Sequence, residues 1–270
     1  MFESLKEVFS MGAPSHTSSS STGHHHISIS SLSKGQHSAS DVAMMVIEYA
    51  SRREPDLSLR QRKALAWYRS GELSKTLSTR RDNDKIVFNA YFHFFDDMFF
   101  GSLLKKGRIS VYLTKKETRI LKVAGESSTY CRKTQGRTKT SCIIWVHRAT
   151  HIKDNRDQGL FGLSTLLHEM LRCFLDSYTC LTPSCRDGLS QLGKEHGFAW
   201  QDAAYALEKA VNDPTYLNLP LMLERSFELV SELKKWGKFP VKDLGRWGFT
   251  NKELKFQHGR WDIGKRDSKE

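Results

Sequence analysis

The chain reads as an α+β protein with a small, mostly antiparallel β-sheet packed against helices. Three observations lead there. Segments on both sides of residues 109–149 carry apolar residues at helical spacing. Short runs rich in β-branched and aromatic residues cluster inside that span. Strands do not alternate with helices, so the order is helices, strands, helices, which is the order of an α+β domain and not of a parallel α/β sheet.

The elements follow in chain order. Residues 11–40 are rich in Ser, Gly and His and poor in large apolar residues, a composition that predicts disorder up to about Ser40. The run His24-His25-His26 lies here; it can bind metal weakly, or it is an accident of composition. SDVAMMVIEYASRR offers an N-cap, an early acid and a helical apolar pattern that Pro55 ends. LSLRQRKALAWYRSGEL predicts a second helix, in which Trp67-Tyr68-Arg69 either stack on bases or pack on a neighbouring helix. KTLSTRRDNDK is a polar linker and the expected domain boundary. DKIVFNAYFHFFDDMFFGSLL then places Val87, Tyr91, Phe94, Phe95 and Met98 on one broad face, with Gly101 as terminator and His93 a packing or surface residue.

Three strand candidates come next: ISVYL, KVAGESSTYCR and SCIIWVHRA, with TQGRTKT a basic hairpin or loop between the last two. GLFGLSTLLHEMLRCFLDSYTC is apolar almost all round and predicts one buried helix over 160–178. HGFAWQDAAYALEKAV and LPLMLERSFELVSELKKW read as two further helices, followed by a basic tail with Trp236, Trp247 and Trp261. The expected organisation is a Ser/His-rich segment 1–39, a helical extension and linker 40–83, a main domain 84–211, and a C-terminal helix with basic tail 212–270.

The net charge is +12 over 270 residues, a balance that suits nucleic acid or another polyanion as partner. Between Gly101 and Arg156 there are 14 Lys and Arg against three acids, so nearly the whole surplus sits in the strand region. Arg132, Lys133, Arg137 and Lys139 are the candidate nucleic-acid contacts. No apolar run approaches the ~18 residues that span a bilayer, and the N-terminus lacks a signal peptide's apolar core. An intracellular protein, nuclear or cytoplasmic, with no membrane partner is expected. The five cysteines are odd in number and lack CxxC pairs, which suits reduced thiols better than a disulfide framework.

The chemistry concentrates in His168-Glu169-Met170-Leu171-Arg172. Two histidines four apart on a helix can hold Zn²⁺, with the glutamate between them polarising the bound water. Here His168 and Glu169 stand in that order inside an apolar helix, where a histidine and a carboxylate are costly unless partnered. The second histidine position is Arg172. A guanidinium stays protonated and offers no lone pair to a metal. It can instead reach back to Glu169 as an i,i+3 ion pair, supplying the charge that a metal would bring; the alternative is an Arg172 in solvent. Cys173, five residues after His168, points about 140° away from it on an ideal helix. Cys180 and Cys185, loosely spaced as C-x4-C, either form a small thiolate site with Cys173 or a histidine or stay as free thiols, and His147 belongs to a strand, so its spacing to His151 does not make a helical pair.

Four stretches in this order carry a family resemblance: FNAYFHFFDDMFFGSLL, the basic strands with AGESS, STLLHEMLRCFLDSYTC, and GKEHGFAWQDAAYALE. Over residues 84–210 the chain resembles the SprT-like metalloproteases, particularly their fungal members. The resemblance implies a zincin-like domain for 84–211, with zinc as cofactor. Family members cleave proteins crosslinked to DNA, so DNA or DNA-bound proteins are the implied partners. By position His168 would be the first zinc ligand, Glu169 the catalytic base, His196 the third ligand and Trp200 a packing residue behind the site. Arg172 departs from the pattern at the second ligand, and Glu195 stands where the family often has a small residue. The implied function is that of a degenerate zinc protease, weakly active or inactive; the alternative is a non-catalytic protein that binds nucleic acid or protein on the same fold.

Overall fold

The computed structural model describes residues 29–78, 84–106, 109–117, 124–134, 137–180, 197–236 and 244–250. Among the described residues eight α-helices and three strands make an α+β fold. Residues 29–38, expected to be disordered, are instead held against the end of the long central helix. His37 pairs with Thr179 in an isolated parallel bridge, and Cys180 N–H donates to the His37 carbonyl at 2.7 Å. Helix α1 (Ala39–Ser51) follows, with Ser38 rather than Ser40 as its N-cap, accepting from Asp41 N. Helix α2 (Leu59–Arg69) starts with a capping box between Ser58 and Gln61. Helix α3 (Glu72–Ser78) follows at once, so the expected second helix is split at Gly71, whose φ is +80°.

Helix α4 (Asp84–Phe99) buries Val87, Tyr91, Phe94, Phe95 and Met98, leaves His93 exposed, and ends before Gly101 at φ +59°. Tyr68 of α2 stacks on Phe94 with ring centroids 5.0 Å apart and donates its hydroxyl to the Leu217 carbonyl at 2.6 Å. That contact decides for the packing role of Tyr68. A short helix α5 (Leu103–Lys106) turns the chain into β1 (Ile109–Glu117); the Asp96 carboxylate accepts from Leu104 N and Lys105 N, both at 3.0 Å.

The strands β1, β2 (Gly125–Thr134) and β3 (Arg137–Arg148) lie in the order β1-β3-β2. β2 and β3 form the antiparallel hairpin that TQGRTKT suggested, while β1 and β3 are parallel. The sheet is therefore mixed, not mostly antiparallel. β3 enters between two strands that run opposite ways, so it matches one and opposes the other. Its inward residues Cys142, Ile144 and Val146 are buried, and Ile143 and Trp145 between them are half-buried.

Helix α6 (Asn155–Tyr178) runs against that inner face as the single helix expected, capped by Asp154, and is buried almost throughout from Gly162 onward. Gly162 admits α4: a Cβ there would lie 2.9 Å from Phe88 Cε1. Helix α7 (Phe198–Asn212) carries Trp200, and α8 (Arg225–Trp236) closes the described helices. Residues 219–224, expected to be helical, form instead a non-helical strap. Pro220 removes one amide donor, Asn218 and Glu224 take positive φ values of +48° and +56°, and the strap's polar backbone groups bond to α6 and α7. One apolar core joins α1, α4, α6, α7 and the sheet; a second, smaller one gathers Leu229, Val230, Leu244, Trp247 and Phe249 against Phe198 and Tyr205. Among the described residues no helix is long and apolar enough to cross a membrane.

Candidate functional site

Helix α6 presents His168, Glu169 and Arg172 between the sheet, α7 and the strap. His168 is 8 % exposed, and Glu169 is 3 % exposed, so both polar groups need partners inside the protein. His168 Nδ1 lies 3.0 Å from the Leu223 carbonyl oxygen. A carbonyl only accepts, so the proton of this contact sits on Nδ1, and in the neutral imidazole Nε2 then carries the lone pair. The ring packs against Trp200, with centroids 4.8 Å apart. Trp200 is itself buried, as a packing residue behind the site would be.

Glu169 turns the other way, toward the start of β2. Gly125 approaches so closely that a Cβ there would lie 2.8 Å from the Trp145 carbonyl oxygen and 3.5 Å from Glu169 Cγ. A side chain at 125 would meet the Trp145 carbonyl of β3 and Thr165 Cγ2 of α6, so glycine lets β2 lie close to both. Arg172 Nη1 donates to Glu169 Oε2 at 3.3 Å, the i,i+3 pair expected from the spacing. The Arg172 side chain is 19 % exposed, so it is mostly covered but keeps some access to water. His168 Nε2 lies 4.0 Å from Glu169 Oε1. The site is a short chain of imidazole, carboxylate and guanidinium on one helix.

The fit of this chain to zinc divides. His168 suits a ligand, because metal-binding histidines characteristically donate their other ring nitrogen to a carbonyl or carboxylate. Arg172 does not: its guanidinium has no lone pair, and it occupies the oxygen of the residue that would activate water. Among the described residues no group of three or more His, Cys, Asp or Glu is arranged to hold a metal. His196, the third ligand that the resemblance implies, lies outside the described residues, as do Cys185, Glu195 and the His24–His26 run.

His147 sits on β3 with Nε2 3.3 Å from Glu126 Oε1, and His151 lies beyond the strand, edge-on to Phe161. The β2–β3 register sets Arg132 opposite Lys139, Lys133 opposite Thr138 and Arg137 opposite Thr134, which places the four candidate cations together at the turn end of the ribbon.

Two features escaped sequence reasoning. Cys142 on β3 and Cys173 on α6 are paired in a disulfide, with Cα atoms 6.3 Å apart, where reduced thiols were expected. An odd cysteine count without CxxC spacing does not reveal which two cysteines a sheet and a helix bring together. The Leu223 carbonyl escaped too, since a backbone acceptor leaves no residue signature. Comparison of the chain with models of known families, with characterised proteins and with solved structures finds no match.

Proposed function

We propose that this chain is a SprT-like, zincin-derived protein whose hydrolytic site has degenerated, leaving weak activity or none, and that it acts on or beside DNA and DNA-bound proteins. The observation that carries the reading is the contact between Arg172 and the buried Glu169. In this reading a fixed guanidinium provides the positive charge that zinc would otherwise bring to that carboxylate. The residue that would have been the general base is engaged in an ion pair, which disfavours proton transfer from water. The Nδ1 contact of His168 with a carbonyl is what remains of a ligand's support. The surplus of positive charge in residues 101–156 supports a polyanionic partner.

The same ion pair favours a second reading, in which the protein only binds: a pseudoprotease that holds nucleic acid or protein without turnover. Metal analysis separates the readings. The purified protein is expected to hold well under one equivalent of zinc, and Arg172→His to approach one. Near-stoichiometric zinc in the wild type, lost in His168→Ala, would restore a working metal site and remove the degenerate reading. Peptidase activity of Arg172→His at no more than the wild-type level, despite bound zinc, would favour the binding protein.

A further inference from the structure

We propose that Glu208 is the positioning residue of His168: from α7 it clamps the strap on both sides of Glu224, so that the Leu223 carbonyl fixes the imidazole in its Nδ1–H form. Glu208 Oε1 accepts the Leu223 N–H at 2.6 Å, and Oε2 accepts from Arg225 Nε at 2.5 Å. Between these two anchors Glu224 has φ +56°, a left-handed conformation that a non-glycine residue holds only when its surroundings impose it. That bend is what turns the Leu223 carbonyl toward His168 Nδ1, 55 residues away in sequence.

The rest of the strap is tied down by other groups. Leu219 N–H donates to the Val211 carbonyl at 2.8 Å, Asn212 Nδ2 donates to the Leu221 carbonyl at 2.8 Å, and Met222 N–H donates to Ser164 Oγ at 3.1 Å. Of these anchors only Glu208 bonds the residue whose carbonyl meets the imidazole. Arg225 is held in turn between the rings of Tyr205 and Phe249, 4.7 and 4.8 Å from their centroids, and donates from Nη1 to the Trp247 carbonyl at 3.0 Å. The clamp therefore connects the second, C-terminal core to the imidazole through one carboxylate. A partly covered carboxylate, 18 % exposed, with a permanent cation and a backbone amide as partners is a firm anchor, because charge-assisted bonds of this kind are stronger than neutral ones.

The inference rests on His168 being the functional imidazole, but its test reads the imidazole directly. The tautomer of His168 is followed by ¹⁵N NMR of histidine-labelled, metal-free protein at mildly alkaline pH, with His168→Ala assigning the signals. The wild type is expected to show one Nδ1–H tautomer. Glu208→Ala should release the Leu223 carbonyl and produce a mixture of both tautomers. Glu208→Gln is isosteric, but its amide can satisfy only one of the two donors it faces, so a smaller mixture is expected. Asn212→Ala, which loosens the strap at Leu221, should keep the single tautomer. A single Nδ1–H tautomer in both Glu208 variants would overturn the proposal, as would an equal change in Asn212→Ala. If Glu208→Ala does not fold, Glu208→Gln carries the same decision. In an Arg172→His background, Glu208→Ala should also weaken zinc binding about 10- to 100-fold. Failure of Arg172→His to take up zinc, with the tautomer response intact, would remove the proposed function and leave the role of Glu208 standing.

Discussion

Arg172→Ala isolates the contact on which the reading of the site depends. Glu169 is 3 % exposed and its carboxylate meets Arg172 Nη1 at 3.3 Å. At that distance, with an effective dielectric of about 20, the Coulomb attraction is about 5 kcal/mol, and desolvation of the two groups offsets part of it. Removing one partner of a fully buried pair costs roughly 3–5 kcal/mol, because the other charge is left without compensation. Arg172 keeps 19 % of its side chain exposed, so water can reach part of the vacated space, and the expected loss falls to about 3 kcal/mol. With a urea slope of roughly 3 kcal/mol/M for a chain of this size, the midpoint should drop by about 1 M. Glu169→Gln removes the charge and should cost less in the Arg172→Ala background than alone, by about 2 kcal/mol in a double-mutant cycle. Equilibrium urea unfolding of the four proteins measures all of this. A midpoint for Arg172→Ala within about 0.5 kcal/mol of wild type would refute the reasoning and make the pair an incidental surface contact.

Asp96 gives a pH test. Burial pushes its carboxyl up to about 6, although Leu104 N–H and Lys105 N–H oppose the shift. A carboxyl whose folded pKa lies above its unfolded value binds more protons folded than unfolded, so its contribution is present at pH 4 and is lost as pH rises through about 6. Wild-type stability relative to Asp96→Asn should therefore fall by roughly 2–3 kcal/mol across that window, followed by denaturant unfolding at each pH. Peptide mapping without reductant should recover a linked Cys142–Cys173 pair; over a separation of 31 residues its loss in Cys173→Ala should lower stability by roughly 3–4 kcal/mol, measured against reduced wild type as control. Replacing Arg132, Lys133, Arg137 and Lys139 together should remove most DNA or RNA binding and flatten its salt dependence in fluorescence anisotropy; unchanged affinity and slope would take the nucleic-acid surface away from the β2–β3 ribbon.

The local parts of this protein were legible from the residues alone. Helix α4 shows its buried face because Val87, Tyr91, Phe94, Phe95 and Met98 repeat at the period of the backbone. Helix α6 shows its burial because apolar residues surround it, and the Glu169–Arg172 pair follows from two positions three apart on one helix. The tertiary structure decided whatever joins residues distant in the chain. Alternation identified three strands, but insertion of β3 between the other two made the sheet mixed. Leu219–Glu224 reads as the start of the helix that follows it, yet bonds to Ser164, Glu208 and Asn212 draw it into a strap, since a few tertiary hydrogen bonds and a proline outweigh weak helix propensity. Cys142 found Cys173 only because β3 packs on α6, and His168 found the Leu223 carbonyl only because the strap crosses that helix. Periodicity records which face of an element is apolar; which backbone groups and sulfurs meet across the core depends on how the elements pack, and no local pattern encodes that.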